Sequence, residues 1–104
     1  MNRANVDDSL ADFQRNAAAA VALLKELSNG NRLMILCKLL ENGELSVMQL
    51  SAQVGLSQSA LSQHLARMRS KDLVDFRRKA QQAFYHVKDP GVRQILMTLK
   101  NIYC

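Results

Sequence analysis

The run Ser57-Gln-Ser-Ala-Leu-Ser-Gln-His-Leu-Ala-Arg67 gathers hydroxyl, amide and guanidinium side chains in one short stretch. Such groups hydrogen-bond to the edges of nucleic-acid bases, amides to adenine and arginine to guanine or to a phosphate. Leu61, Leu65 and Met68 recur at helical spacing and turn inward, which leaves Ser59, Ser62, Gln63, Ala66 and Arg67 toward solvent or a partner. Ser57 and Gln58, at the start of that helix, join them as candidate DNA contacts. His64 admits two readings, a partly buried packing residue that reaches a phosphate or a metal ligand, and the first is the commoner fate of a lone histidine beside a leucine. A second basic group, Arg77-Arg78-Lys79, suits phosphate contact, though three adjacent bases are also what a solvated turn looks like. Two thiols, Cys37 and Cys104, complete the reactive inventory.

The elements that must position these groups follow from period and end signals. From Leu50 to Arg69 the chain reads as two helices joined by a tight turn, with Gly55 free to take positive φ and Ser57 able to cap the second helix. Beyond Arg69 the period changes from helical to about 2, and residues 73–87 read as a two-stranded hairpin with Lys79 to Gln82 at the turn and the basic run at its tip. Ahead of the motif, an Ala-rich helix is expected from Asp8 to about Ser28, with Asp7, Asp8 and Asp12 against its positive end and residues 1–7 loose. A second, mostly buried helix runs from Arg32 to the break at Asn42-Gly43, and Ser46 caps a third. Asp89 and Pro90 open a last helix bearing Val92, Ile95, Leu96, Leu99 and Ile102. Met34, Met48, Met68 and Met97 are expected to fill the core. The apolar stripes of the first and last helices exceed what a small core needs, so both are candidate dimer surfaces.

Bulk properties narrow the classes. A chain of 104 residues supports one domain. Aromatic content of 5% without Trp makes the core aliphatic and base stacking an improbable main mode of binding. The formal charge of +5 is localised: Ser57 to Lys88 holds seven bases against two acids, while residues 1–56 are close to neutral. No targeting leader and no long uncharged apolar run is visible, which points to a cytoplasmic protein without a membrane partner, where a permanent disulfide is disfavoured. An enzyme finds little support, since no nucleophile with a placed base, no paired carboxylates and no phosphate loop is present. A winged helix used to bind protein stays open, with the concentrated positive charge against it.

The segments Gly43-Glu-Leu-Ser-Val-Met-Gln-Leu50 and Leu56-Ser-Gln-Ser-Ala-Leu-Ser-Gln-His-Leu65, in the order helix, helix, helix-turn-helix, hairpin, helix, resemble the arsenical-resistance repressor family (ArsR/SmtB) from about residue 17 onward. The resemblance implies a mainly α winged helix-turn-helix of about five helices plus a two-stranded β-hairpin wing. It also implies a homodimer paired through first and last helices, bound to an inverted-repeat operator in double-stranded DNA and released by an inducer. Metal sensors of the family carry Cys-x-Cys where this chain has Ser46 and Met48, and Asp and His where it has Val92, Ile95 and Leu99, so neither a metal nor a cofactor is expected. Leu33-Met-Ile-Leu-Cys37 and Leu99-Lys-Asn-Ile-Tyr-Cys104 look like the thiol-sensing branch, the BigR/SqrR/YgaV/HlyU-like regulators. That likeness implies a switch in which reactive sulfur or an oxidant modifies the two cysteines. Taken by itself, Cys37 on an apolar helix face also reads as a packing residue. A direct disulfide needs Cα atoms within about 7 Å, and a bridge of several sulfur atoms spans more.

Overall fold

Apolar periodicity and strong end signals divide the chain into five helices and three strands. The computed structural model describes residues 3–103, with side chains from residue 9 onward. In order they are α1 (Arg3–Leu27), α2 (Gly30–Asn42), β1 (Leu45–Ser46), α3 (Val47–Val54), α4 (Gln58–Ser70), β2 (Val74–Lys79), β3 (Gln82–Val87) and α5 (Pro90–Tyr103).

α1 begins five residues before the expected Asp8, so residues 3–7 are helical rather than loose, while residues 1 and 2 lie outside the described residues. No Gly or Pro precedes Asn29, and nothing in the sequence stops the helix from propagating toward its start. The consequence for charge is a correction: the first turn holds no acid, and Asp7 and Asp8 fall beyond the reach of the positive end. Asn29 then caps α2, its side chain accepting from the Arg32 backbone N–H.

The core is aliphatic, formed by Ile35, Leu36 and Leu39 of α2 with Leu50, Leu61, Leu65, Met68, Val74, Val87, Val92 and Leu96. Leu33, Cys37 and Leu40 are half-buried rather than fully enclosed. Of the methionines expected to fill the core, only Met68 does so; Met34, Met48 and Met97 are exposed. The reason is that Ile35 and Leu36, Leu50, and Val92 and Leu96 already occupy the inward faces of their helices.

The sheet has a third member the sequence did not announce. β1 pairs with β3 through Leu45↔Tyr85 and Ser46↔Phe84, giving an antiparallel sheet of order β1-β3-β2. A two-residue strand is too short to show a period. β2 and β3 run from Val74↔Val87 to Lys79↔Gln82, so Ala80 and Gln81 form the tip. Arg77, Arg78 and Lys79 therefore line β2 instead of crowning the turn, because the hairpin closes with two residues. Ala80 takes φ +58 there, a conformation glycine adopts more easily.

Candidate nucleic-acid interface and thiol site

The turn between α3 and α4 follows from local chemistry. Ser46 accepts from the Gln49 backbone N–H at 3.2 Å while the Gln49 side chain accepts from the Ser46 N–H at 3.0 Å, so α3 starts with a reciprocal capping box. It stops at Gly55, whose φ of +73 is the left-handed end that allows the chain to reverse. Ser57 then accepts from the Ala60 N–H at 3.1 Å and begins α4.

Leu61, Leu65 and Met68 anchor α4 in the core, each fully buried. The opposite face carries Ser57, Gln58, Ser59, Ser62 and Gln63 in the open, with His64 half-buried at its edge. These six sequence candidates thus lie together on one end and one side of one helix. Exposed hydroxyl and amide groups along one side of a helix are free to meet base edges and phosphates in a major groove.

Arg67 shares that helix but not that freedom. Its Nε donates to Glu26 Oε1 at 3.0 Å and its Nη2 to Oε2 at 2.9 Å, a fork on a carboxylate that is only 2% exposed. Arg32 approaches the same carboxylate at 3.6 Å and also donates from Nε to the Glu26 carbonyl at 2.8 Å and from Nη2 to the Lys25 carbonyl at 3.1 Å. Hydrogen bonding from Arg67, with the positive field of Arg32, holds the Glu26 carboxyl below its ordinary range against the opposing effect of burial. Glu26 had no place among the sequence candidates. The signal was available: it lies next to Leu27 and one turn from Leu23, so an acid stands on a core-facing stripe that must supply it with partners.

The wing is braced in the same manner. Arg77 Nε donates to Glu44 Oε2 at 2.8 Å, and this pairing pulls the Glu44 carboxyl down. Phe76 and Tyr85 face one another across the strands at 5.2 Å, and two guanidiniums sit over the Phe76 ring, Arg69 of α4 at 4.4 Å and Arg78 of β2 at 5.6 Å. Asp75, lowered by the Phe76 backbone N–H and by Arg69, ties the same corner at 3.2 Å. The end of α4 and the root of the wing are thereby one block. Arg77, Arg78 and Lys79 are all exposed, with Arg78 and Lys79 outside the ion pairs found among the described residues.

The described thiol belongs to a different pair of helices. Cys37 is half-buried on α2 and lines a cleft of about 550 Å³ between α2 and α5, together with Leu33, Met34, Met97, Lys100 and Tyr103. Cys104 lies outside the described residues, immediately after Tyr103 in the chain. Among the described residues no three His, Cys, Asp or Glu side chains gather as a metal site would require, and no helix is long and apolar enough to cross a membrane.

Comparison with known proteins adds the lineage. Residues 29–75 match the family model of bacterial regulatory proteins of the arsR family. The chain is 48% identical to the HTH-type transcriptional regulator YgaV of Escherichia coli K12 over 91% of its own length and 96% of that protein's. It is 48% identical to the transcriptional activator HlyU of Vibrio cholerae, over 92% of this chain and 88% of that one. Among solved structures, reduced HlyU from Vibrio cholerae superposes with a TM-score of 0.83 at 48% identity, covering 89% of this chain and 97% of that one. The transcriptional repressor BigR from Xylella fastidiosa gives 0.84 at 38% identity, covering 90% and 95%. With capped helix-turn-helix, braced wing and flanking helices all matched along nearly its whole length, this chain belongs to the arsR family of DNA-binding transcriptional regulators.

Proposed function

We propose that the protein is a homodimeric repressor that places one α4 from each subunit into successive major grooves of an inverted-repeat operator, and that oxidation or persulfidation of Cys37 and Cys104 releases it. Two-fold symmetry sets the half-sites about 34 Å apart. Ser57, Gln58, Ser59, Ser62, Gln63 and His64 meet bases and the adjoining backbone, while Arg77, Arg78 and Lys79 follow the phosphates beside them. Exposed Leu10, Phe13, Val21 and Leu24 on α1, with Met97 and Ile102 on α5, support pairing of subunits through the first and last helices. The protein acts in the cytoplasm, where the DNA is.

The observation that carries the switch is the cleft between α2 and α5: Cys37 and Tyr103, the residue before Cys104, line the same cavity. The solved Vibrio cholerae relative is reduced HlyU, a redox state in a homologue that supports a redox reading of this chain. With inorganic polysulfide the chemistry balances. One cysteine thiolate takes a sulfur atom to become a persulfide and leaves the polysulfide one atom shorter. The second thiol then attacks the persulfide sulfur bound to carbon, expels hydrosulfide and closes a disulfide, so that two thiols are oxidised by two electrons. Joining α2 to the end of α5 alters how α5 meets its partner and, through the dimer, the spacing of the two α4 helices.

The test is operator binding by wild type, Cys37→Ser and Cys104→Ser, before and after polysulfide. Release of the wild type with retention of both variants supports the switch, and equal release of all three contradicts it.

A further inference from the structure

Glu26 stands in the last turn of α1 almost wholly removed from water, and its charge is met by arginines from two other elements. Arg32 belongs to α2 and spends two of its donors on the carbonyls that end α1. Arg67 belongs to α4, and both of the Glu26 oxygens accept from its guanidinium. To turn its Nε–Nη2 edge on a phosphate, Arg67 would have to leave this carboxylate buried with Arg32 alone, at 3.6 Å, so the pair leaves only the outer Nη1 edge toward solvent. A phosphate contact at a wet surface is weaker than a forked pair on a buried anion, so the pair persists when DNA arrives.

We infer that Arg67 is a strut and not a DNA contact: clamped by Glu26, it fixes the angle of α4 against the corner between α1 and α2, and Glu26 is a positioning residue for DNA reading. This rests on α4 being the reading helix. It also links the exposed apolar face of α1 to the reading head through one rigid connection, since the same helix carries Leu10, Phe13 and Leu24 outward and Glu26 inward.

A DNA contact and a strut differ in their salt dependence. Each phosphate neutralised adds about 0.9 to the slope of log affinity against log salt, whereas a group that only orients the helix adds nothing. The probe is the tightest duplex that the wild-type protein selects from a randomised pool. Arg67→Gln should bind it about tenfold more weakly with the wild-type slope, and Glu26→Gln should lose a similar factor. The double variant should be no worse than either single one, because each change breaks the same strut. A slope reduced by about 1 in Arg67→Gln, unchanged affinity, tighter binding by Glu26→Gln, or losses that add in the double variant would each overturn the inference. Arg67 is half-exposed, so Arg67→Gln leaves the core intact and decides the question even if Glu26→Gln fails to fold. Gln63→Ala, read by loss of sequence preference, tests separately whether α4 reads the bases.

Discussion

At the scale of single residues, the controlling group is a carboxylate that the sequence hides in plain view. Glu26 is stable inside only because Arg32 and Arg67 reach it from α2 and α4, 6 and 41 positions along the chain. Such a convergence is a tertiary fact, which is why Arg67 reads from sequence as a DNA contact. Removing Arg32 strips the carbonyls of Lys25 and Glu26 of their donors and leaves the buried acid half-compensated. Arg32→Ala should lower stability by about 3 kcal/mol, read from urea unfolding at neutral pH. The same pairing sets a pH response. Because the folded protein holds the Glu26 carboxyl below its ordinary 4.5, the stabilisation is complete above that value and is lost as pH falls through the lowered native one. Urea titrations from pH about 3 to 7 should therefore show a shallower acid loss in Glu26→Gln than in wild type. An identical acid limb in both proteins would mean that Glu26 contributes nothing to it.

At the scale of elements, the helix-turn-helix was legible because its signals are local. Gly55, Ser57 and the spacing of Leu61, Leu65 and Met68 each act within one or two turns, and the structure has them all in the expected roles. Ser57→Ala, which removes the side-chain acceptor for the Ala60 N–H, should cost about 1 kcal/mol in thermal unfolding. The wing was legible as a hairpin but not in its detail. Without Gly or Asn at the tip, nothing in the sequence distinguishes a two-residue loop from a longer one, so the basic run reads as part of the turn although it lies along β2. Ala80 bears the consequence at φ +58, so Ala80→Gly should raise stability by about 0.5 kcal/mol despite the added freedom of the unfolded chain. β1, at two residues, exists only because Tyr85 and Phe84 of β3 offer it partners. α1 reaches further back than Asp8 for the opposite reason: no Gly or Pro before Asn29 marks where it should begin.

At the scale of the molecule, the segregation of charge and apolar surface carries the functional reading. The positive excess between Ser57 and Lys88 was countable from sequence, yet part of it is spent internally, since Arg67 pairs with Glu26 and Arg77 with Glu44, both from outside that interval. The apolar excess lies elsewhere, along α1 and α5. A lysine on that surface should be tolerated by the fold and not by a dimer: Phe13→Lys, which is 62% exposed in one subunit, should shift sedimentation equilibrium toward monomer and weaken operator binding with it. The sequence supplied both cysteines but not their relation, because only packing brings α2 and α5 to one cleft. The most direct measurement of the switch is intact mass and operator binding on the same samples, reduced and then treated with inorganic polysulfide. The account predicts that modification or bridging of Cys37 and Cys104 appears together with loss of DNA binding, and that a reductant restores both. Full modification of both thiols with operator affinity unchanged would contradict it.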